Sequence, residues 1–135
     1  MKHGLLGPEM QASNFVFYEL DFGEVVSKKS SIIRTTKELR SLLPTGDDTR
    51  FDASGEIYSS DYNLLSVDLR NLAQFKSQLT TNPNMPTPLD TSLPTLFLSE
   101  CVPIYLPVQH SDALIKWCAE QFQTSCFVMY EQITP

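Results

Sequence analysis

The sequence predicts a single α/β domain built on an open, mostly parallel sheet, and three observations predict it. Four short runs rich in apolar, β-branched and aromatic residues, FVFYELDF (15–22), YNLLSV (62–67), TLFLSE (95–100) and SCFVMYEQI (125–133), alternate with helical patterns. The runs are near-continuously apolar, as strands covered on both faces of a parallel sheet are. The chain has 135 residues, 41% of them hydrophobic, enough for one domain with one core.

The elements follow in order. MKHGLLGPEMQASN (1–14) has no periodicity and reads as an irregular segment, and the first strand follows with Glu19 and Asp21 near its carboxyl end. In EVVSKKSSIIRTTKELRSLL, the apolar residues Val25, Val26, Ile32, Ile33, Leu39, Leu42 and Leu43 recur on one helical face, and Pro44-Thr45-Gly46 ends the helix. GDDTRFDASGEIYSSD (46–61) is polar and glycine-containing, a loop. The second strand stops at Asp68, and a turn leads into a helix with Leu72, Phe75 and Leu79 on one side. Four prolines between residues 80 and 94 predict an irregular connection before the third strand. A helix from about Ser111 to Phe122 packs Leu114, Ile115, Trp117, Cys118 and Phe122 inward before the last strand. We find no internal repeat and no low-complexity tract.

Composition narrows the function. The formal charge is −6, with no cationic block longer than Lys28-Lys29, which argues against nucleic acid or an anionic membrane as the main partner. No stretch approaches the ~20 apolar residues that span a bilayer. Cys101, Cys118 and Cys126 form no CxxC pair, and only His3 and His110 accompany them, so no metal site is expected. The odd cysteine count points to a reduced, cytoplasmic setting.

In open parallel sheets ligands lie beyond the carboxyl ends of the strands. Three strands here end in acids, Asp21, Asp68 and Glu100, which the predicted topology sets on one rim. One such acid can take ribose hydroxyls, another an adenine amine, a third an ammonium or amide. S-adenosylmethionine carries all of these groups and a sulfonium cation, which an acidic rim favours. The alternative is that the acids are solvated or cap helices; Asp68 is placed to cap the helix that contains Asn71 to Leu79. A dinucleotide site is disfavoured because no GxGxxG is present.

FYELDFGEVVSKKSSII, LLSVDLRNL and LPTLFLSECVPIYLPVQHSDALIKWCAEQFQTSCFVMYEQI resemble the leucine carboxyl methyltransferase family, from about Phe15 to Ile133. The resemblance implies a Rossmann-like, S-adenosylmethionine-dependent methyltransferase fold. It also implies transfer of a methyl group to the C-terminal leucine carboxylate of the protein phosphatase 2A catalytic subunit. By position, Asp21 matches the acid that holds the cofactor ribose, Asp68 and Leu69 the pair beside the adenine, and Glu100 the acid at the fourth-strand end. Tyr105 lies where the family places an aromatic near the active site. Glu19 is read as a structural carboxylate, and Trp117, Cys118 and Cys101 as packing residues.

The family's Gly-rich loop and first strand have no counterpart upstream of Phe15, and further strands are expected beyond Pro135. The chain therefore reads as the central piece of a methyltransferase, a truncated form that alone binds no cofactor measurably. The strands at 15–22 and 95–100 are expected to lose their common neighbour. The competing function is a catalytically inert α/β interaction module derived from the same fold.

Overall fold

Residues 15–44 and 48–131 are described by a computed structural model of the chain. The irregular segment 1–14, the helix stop at Thr45-Gly46 and the end of the last predicted strand lie outside the described residues. The architecture is mixed α/β, in two units: one runs to Ser66 and includes Asn84–Thr87, and the other comprises Val67–Pro83 and the chain from Pro88 onward.

The first unit holds a four-stranded sheet. Its strands are β1 (Phe17–Asp21), β2 (Thr49–Phe51), β3 (Ile57–Ser59) and β4 (Tyr62–Ser66), in the order β1-β4-β3-β2. β1 lies parallel to β4, with Asp21 opposite Ser66, whereas β3 runs antiparallel to β4 and β2 antiparallel to β3. The helix α1 (Gly23–Thr35) begins directly after β1. The junction is tight, because a Cβ at Gly23 would sit 3.0 Å from the Ser66 hydroxyl, which would have to turn aside. The predicted long helix breaks at Thr36, which is extended, and a separate short helix, α2 (Lys37–Arg40), follows. The cause is local: the Thr35 hydroxyl donates back to the Ser31 carbonyl at 2.8 Å, a bond that competes with helix continuation, and Thr-Thr adds β-branched crowding. Val26 and Ile33, one heptad apart, pack against Ile57 and Leu64, with Leu43, Phe51 and Tyr62 at the margin. The expected apolar face was too wide, since Val25, Ile32 and Leu42 are exposed.

The hairpin of β2 and β3 corrects the loop expected over 46–61. Asp52-Ala53-Ser54-Gly55 closes it: Asp52 Oδ1 accepts from the backbone N–H groups of Ser54 and Glu56, both at 2.9 Å, and Gly55 takes φ +92°. Alanine would be strained there, and its Cβ would come within 2.7 Å of Ser27 Cα.

The second unit contains α3 (Leu72–Thr80), β5 (Thr95–Glu100), α4 (Val108–Gln121) and β6 (Ser125–Tyr130). β5 and β6 form a two-stranded parallel sheet, in register from Thr95 opposite Ser125 to Glu100 opposite Tyr130, and α4 makes the crossover. One face of this sheet is packed. Phe97 stacks on Phe127 and meets Phe122 edge-on; Phe122 touches Trp117, and Trp117 touches Phe75 of α3, with centroids 5.0–5.8 Å apart. The other face is open, with Leu96 64% and Leu98 70% exposed. The apolar run 95–100, expected to be covered on both sides, is thus covered on one.

The expected single sheet is therefore two sheets. β1 and β5 share no ladder. All four predicted strands pair in parallel, whereas β2 and β3 pair antiparallel.

Candidate functional site

Asp21 closes β1 in the first unit. Its Oδ1 accepts from the Phe22 N–H at 2.8 Å, which turns one carboxylate oxygen back onto the strand-to-helix junction. Glu19, two residues earlier, is committed to structure: it accepts from the Tyr62 hydroxyl at 2.9 Å and is ion-paired with Lys29. Burial, with the Glu19 hydrogen bond and charge, raises the Tyr62 hydroxyl well above the usual tyrosine range.

Asp68, Leu69, Glu100 and Tyr105 belong to the second unit. Asp68 does not cap α3; Asn71 does, accepting from the Gln74 N–H at 3.1 Å. Asp68 is instead gripped by the residue two positions on. Arg70 Nε lies 2.9 and 3.1 Å from the two carboxylate oxygens and its terminal nitrogen 2.7 Å from Oδ2, and the Arg70 backbone N–H adds a bond at 2.9 Å. The Arg70 hydrogen bonds hold the Asp68 carboxyl at about 2, with a smaller attraction from His110. Arg70 thus favours the ionised form of Asp68. Leu69, half-buried, lies between the two members of this pair.

Glu100 is the last residue of β5, and its side chain is exposed rather than buried in an apolar strand. The next residue, Cys101, has φ +51°, unusual for a residue with a Cβ, and its N–H donates to the Tyr130 carbonyl at 2.7 Å. This kink halts the strand and leaves the Glu100 carboxylate at the sheet's carboxyl edge, where no partner is assigned to it among the described residues. Pro103–Tyr105 then form a short 3-10 turn, and Tyr105 is 80% exposed. α4 starts after this turn with His110 in its first turn, and His110 exerts the small attraction on the Asp68 carboxylate. Cys118 is a packing residue, its thiol pushed up to about 11 by burial.

Sequence reasoning missed Glu56. This buried carboxylate accepts from the Ser66 N–H at 2.8 Å, the Tyr58 hydroxyl at 2.7 Å and the Ser54 hydroxyl at 3.2 Å, and so binds the hairpin to the carboxyl end of β4. The only trace in the sequence was the turn chemistry of Asp52-Ala53-Ser54-Gly55 just before it.

Among the described residues, no group of three His, Cys, Asp or Glu side chains is arranged to hold a metal ion. No helix among them is long and apolar enough to cross a membrane.

Comparison with known proteins places these features in a lineage. The chain is 38% identical over 120 residues to the leucine carboxyl methyltransferase 1 homolog of Arabidopsis thaliana, a match that covers 89% of the chain and 34% of that protein. It is 33% identical over 121 residues to leucine carboxyl methyltransferase 1 of Rattus norvegicus, covering 87% of the chain and 34% of the relative. It is also 37% identical over 120 residues to the human tRNA wybutosine-synthesizing protein 4, covering 87% of the chain and 16% of that protein. The chain thus spans about a third or less of the length of these relatives. With the sequence model of that family matching residues 7–119, this chain belongs to the leucine carboxyl methyltransferases.

Proposed function

We propose that this chain is the cofactor-holding segment of an S-adenosylmethionine-dependent carboxyl methyltransferase with a Rossmann-like fold. The reaction it serves methylates the C-terminal leucine carboxylate of the protein phosphatase 2A catalytic subunit. The observation that carries the reading is Glu100, an exposed carboxylate held at the carboxyl end of a parallel strand by the kink at Cys101.

The donor and acceptor chemistry of the second unit supports this reading. Glu100 is an acceptor for a hydroxyl or amine, and Asp68 stays ionised beside Arg70 while its two oxygens retain lone pairs for further donors. Leu69 supplies an apolar contact beside the adenine. When bound, S-adenosylmethionine supplies an electrophilic methyl group. The leucine carboxylate is ionised at neutral pH, so no general base is needed, and the protein's task is orientation.

The 37% identity to a tRNA wybutosine-synthesizing protein supports a division of labour. A segment shared by relatives named for different products is better suited to the common cofactor than to substrate choice. The test is a transplant: this chain replaces the matching 120 residues of the Arabidopsis relative, and S-adenosylmethionine binding and methylation of phosphatase 2A are assayed. Retained binding and transfer are expected. A folded chimera that binds no cofactor would overturn the proposal.

A further inference from the structure

The sheet of the first unit has a second face, opposite α1. Ile57 and Leu64 pack against Val26 and Ile33 of α1, so their neighbours Tyr58 and Asn63 turn the other way. Register carries that other face across all four strands: Arg50 is opposite Tyr58, Tyr58 lies beside Asn63, and Asn63 is opposite Tyr18. The two ends of this row hold one short segment. Arg50 donates to the Asn84 carbonyl at 3.0 Å, and the Tyr18 hydroxyl donates to the Thr87 carbonyl at 3.3 Å. Asn84–Thr87 therefore spans the row as a strap, in which Met85 is buried and Asn84, Pro86 and Thr87 are exposed.

The strap is the tip of a loop whose base closes on itself, where the Leu89 N–H donates to the Leu79 carbonyl at 3.0 Å. The tip forms no ladder with the sheet, and Pro86 has no N–H to offer one. Between the two anchors of the row, Asn63 is 1% exposed. Its Oδ1 accepts the Ser59 N–H at 3.2 Å, but its Nδ2 is buried without a partner among the described residues. A buried donor that donates to nothing destabilises the closed state, and opening to water removes that cost. Arg50, Tyr18 and Met85 oppose it.

We propose that Asn84–Thr87 is a lid that opens and closes over the Tyr58–Asn63 row while the rest of the first unit stays folded. Arg50 and Tyr18 are its latch. The device is independent of the functional reading above.

Hydrogen peroxide reads the lid, because it transfers one oxygen atom to a methionine sulfur and is itself reduced to water. Residues 1–135 are exposed to peroxide, and mass spectrometry follows Met85 against Met129, which is 46% exposed. Met85 should oxidise more slowly than Met129, at a rate that urea below the unfolding transition leaves unchanged, the mark of local opening. Tyr18→Phe combined with Arg50→Ala should raise the Met85 rate at least fivefold and leave the Met129 rate unchanged, with circular dichroism verifying that the variant is folded. A Met85 rate in the unmodified chain that climbs steeply with urea below the transition would overturn the proposal, because the strap would then open only with the whole unit. So would an unchanged Met85 rate in the folded double variant, because Arg50 and Tyr18 would then latch nothing.

Discussion

Glu56 Oε1 accepts the backbone N–H of Ser66 across the first unit at 2.8 Å, while Oε2 accepts the Tyr58 hydroxyl at 2.7 Å. One carboxylate thereby joins the hairpin to the strand that leads toward Asp68. Glu56→Ala leaves a backbone donor and a hydroxyl without their acceptor. The expected loss is about 3 kcal/mol, the scale of hydrogen bonds to a charged group with donors left unsatisfied. Urea denaturation measures it, and a change below about 0.5 kcal/mol would show that water replaces the carboxylate fully.

Arg70→Gln should raise the Asp68 carboxyl from about 2 toward its ordinary 3.8, because the Arg70 hydrogen bonds are the largest cause of the depression. A carboxyl lowered in the folded state contributes stability above its unfolded value, and that contribution fades as pH falls from about 4 to about 2. Carbon-13 NMR titration of the Asp68 carboxyl reads the shift directly. An unmoved titration would mean that Arg70 is detached in solution.

Cysteine reactivity should separate two of the thiols. Cys126 is exposed and should react with a disulfide reagent at pH 8, whereas buried Cys118, its thiol pushed up to about 11, should react only after unfolding. A thiol raised in the folded state contributes stability below its ordinary value near 9, lost as pH climbs toward 11. Mass spectrometry of the labelled chain identifies the order.

In the transplanted enzyme, Glu100→Ala should weaken S-adenosylmethionine binding by about 1–3 kcal/mol, the scale of a lost charge-assisted hydrogen bond. Calorimetry that finds an unchanged affinity would assign Glu100 to solvent rather than to the cofactor.

The strands were legible where apolar runs are long enough to outvote their neighbours. TLFLSE coincides with β5, and FVFYELDF and YNLLSV overlap β1 and β4 to within two residues at either end. What escaped was built by side chains acting on backbone. Thr35 ends α1 through a back-bond, and Asp52 closes a hairpin whose strands have three residues each, too few to carry a period. Glu100 was found because an acid interrupts an apolar run. Glu56 was not, since an acid inside a polar stretch looks solvated until three donors converge on it. For Asp68 the capping alternative fails, because Asn71 lies closer to the start of α3 and takes that role.

The open face of the β5–β6 sheet has a practical consequence. Leu96, Leu98, Val128 and Tyr130 lie in neighbouring register on a surface that water wets at a cost. Warming from the cold room and adding ammonium sulfate both strengthen attraction between such surfaces. The chain should therefore adhere to a phenyl chromatography matrix at modest sulfate and elute as salt falls. Lysine at Leu98 should abolish that retention without loosening the Phe97–Phe122 packing on the opposite side.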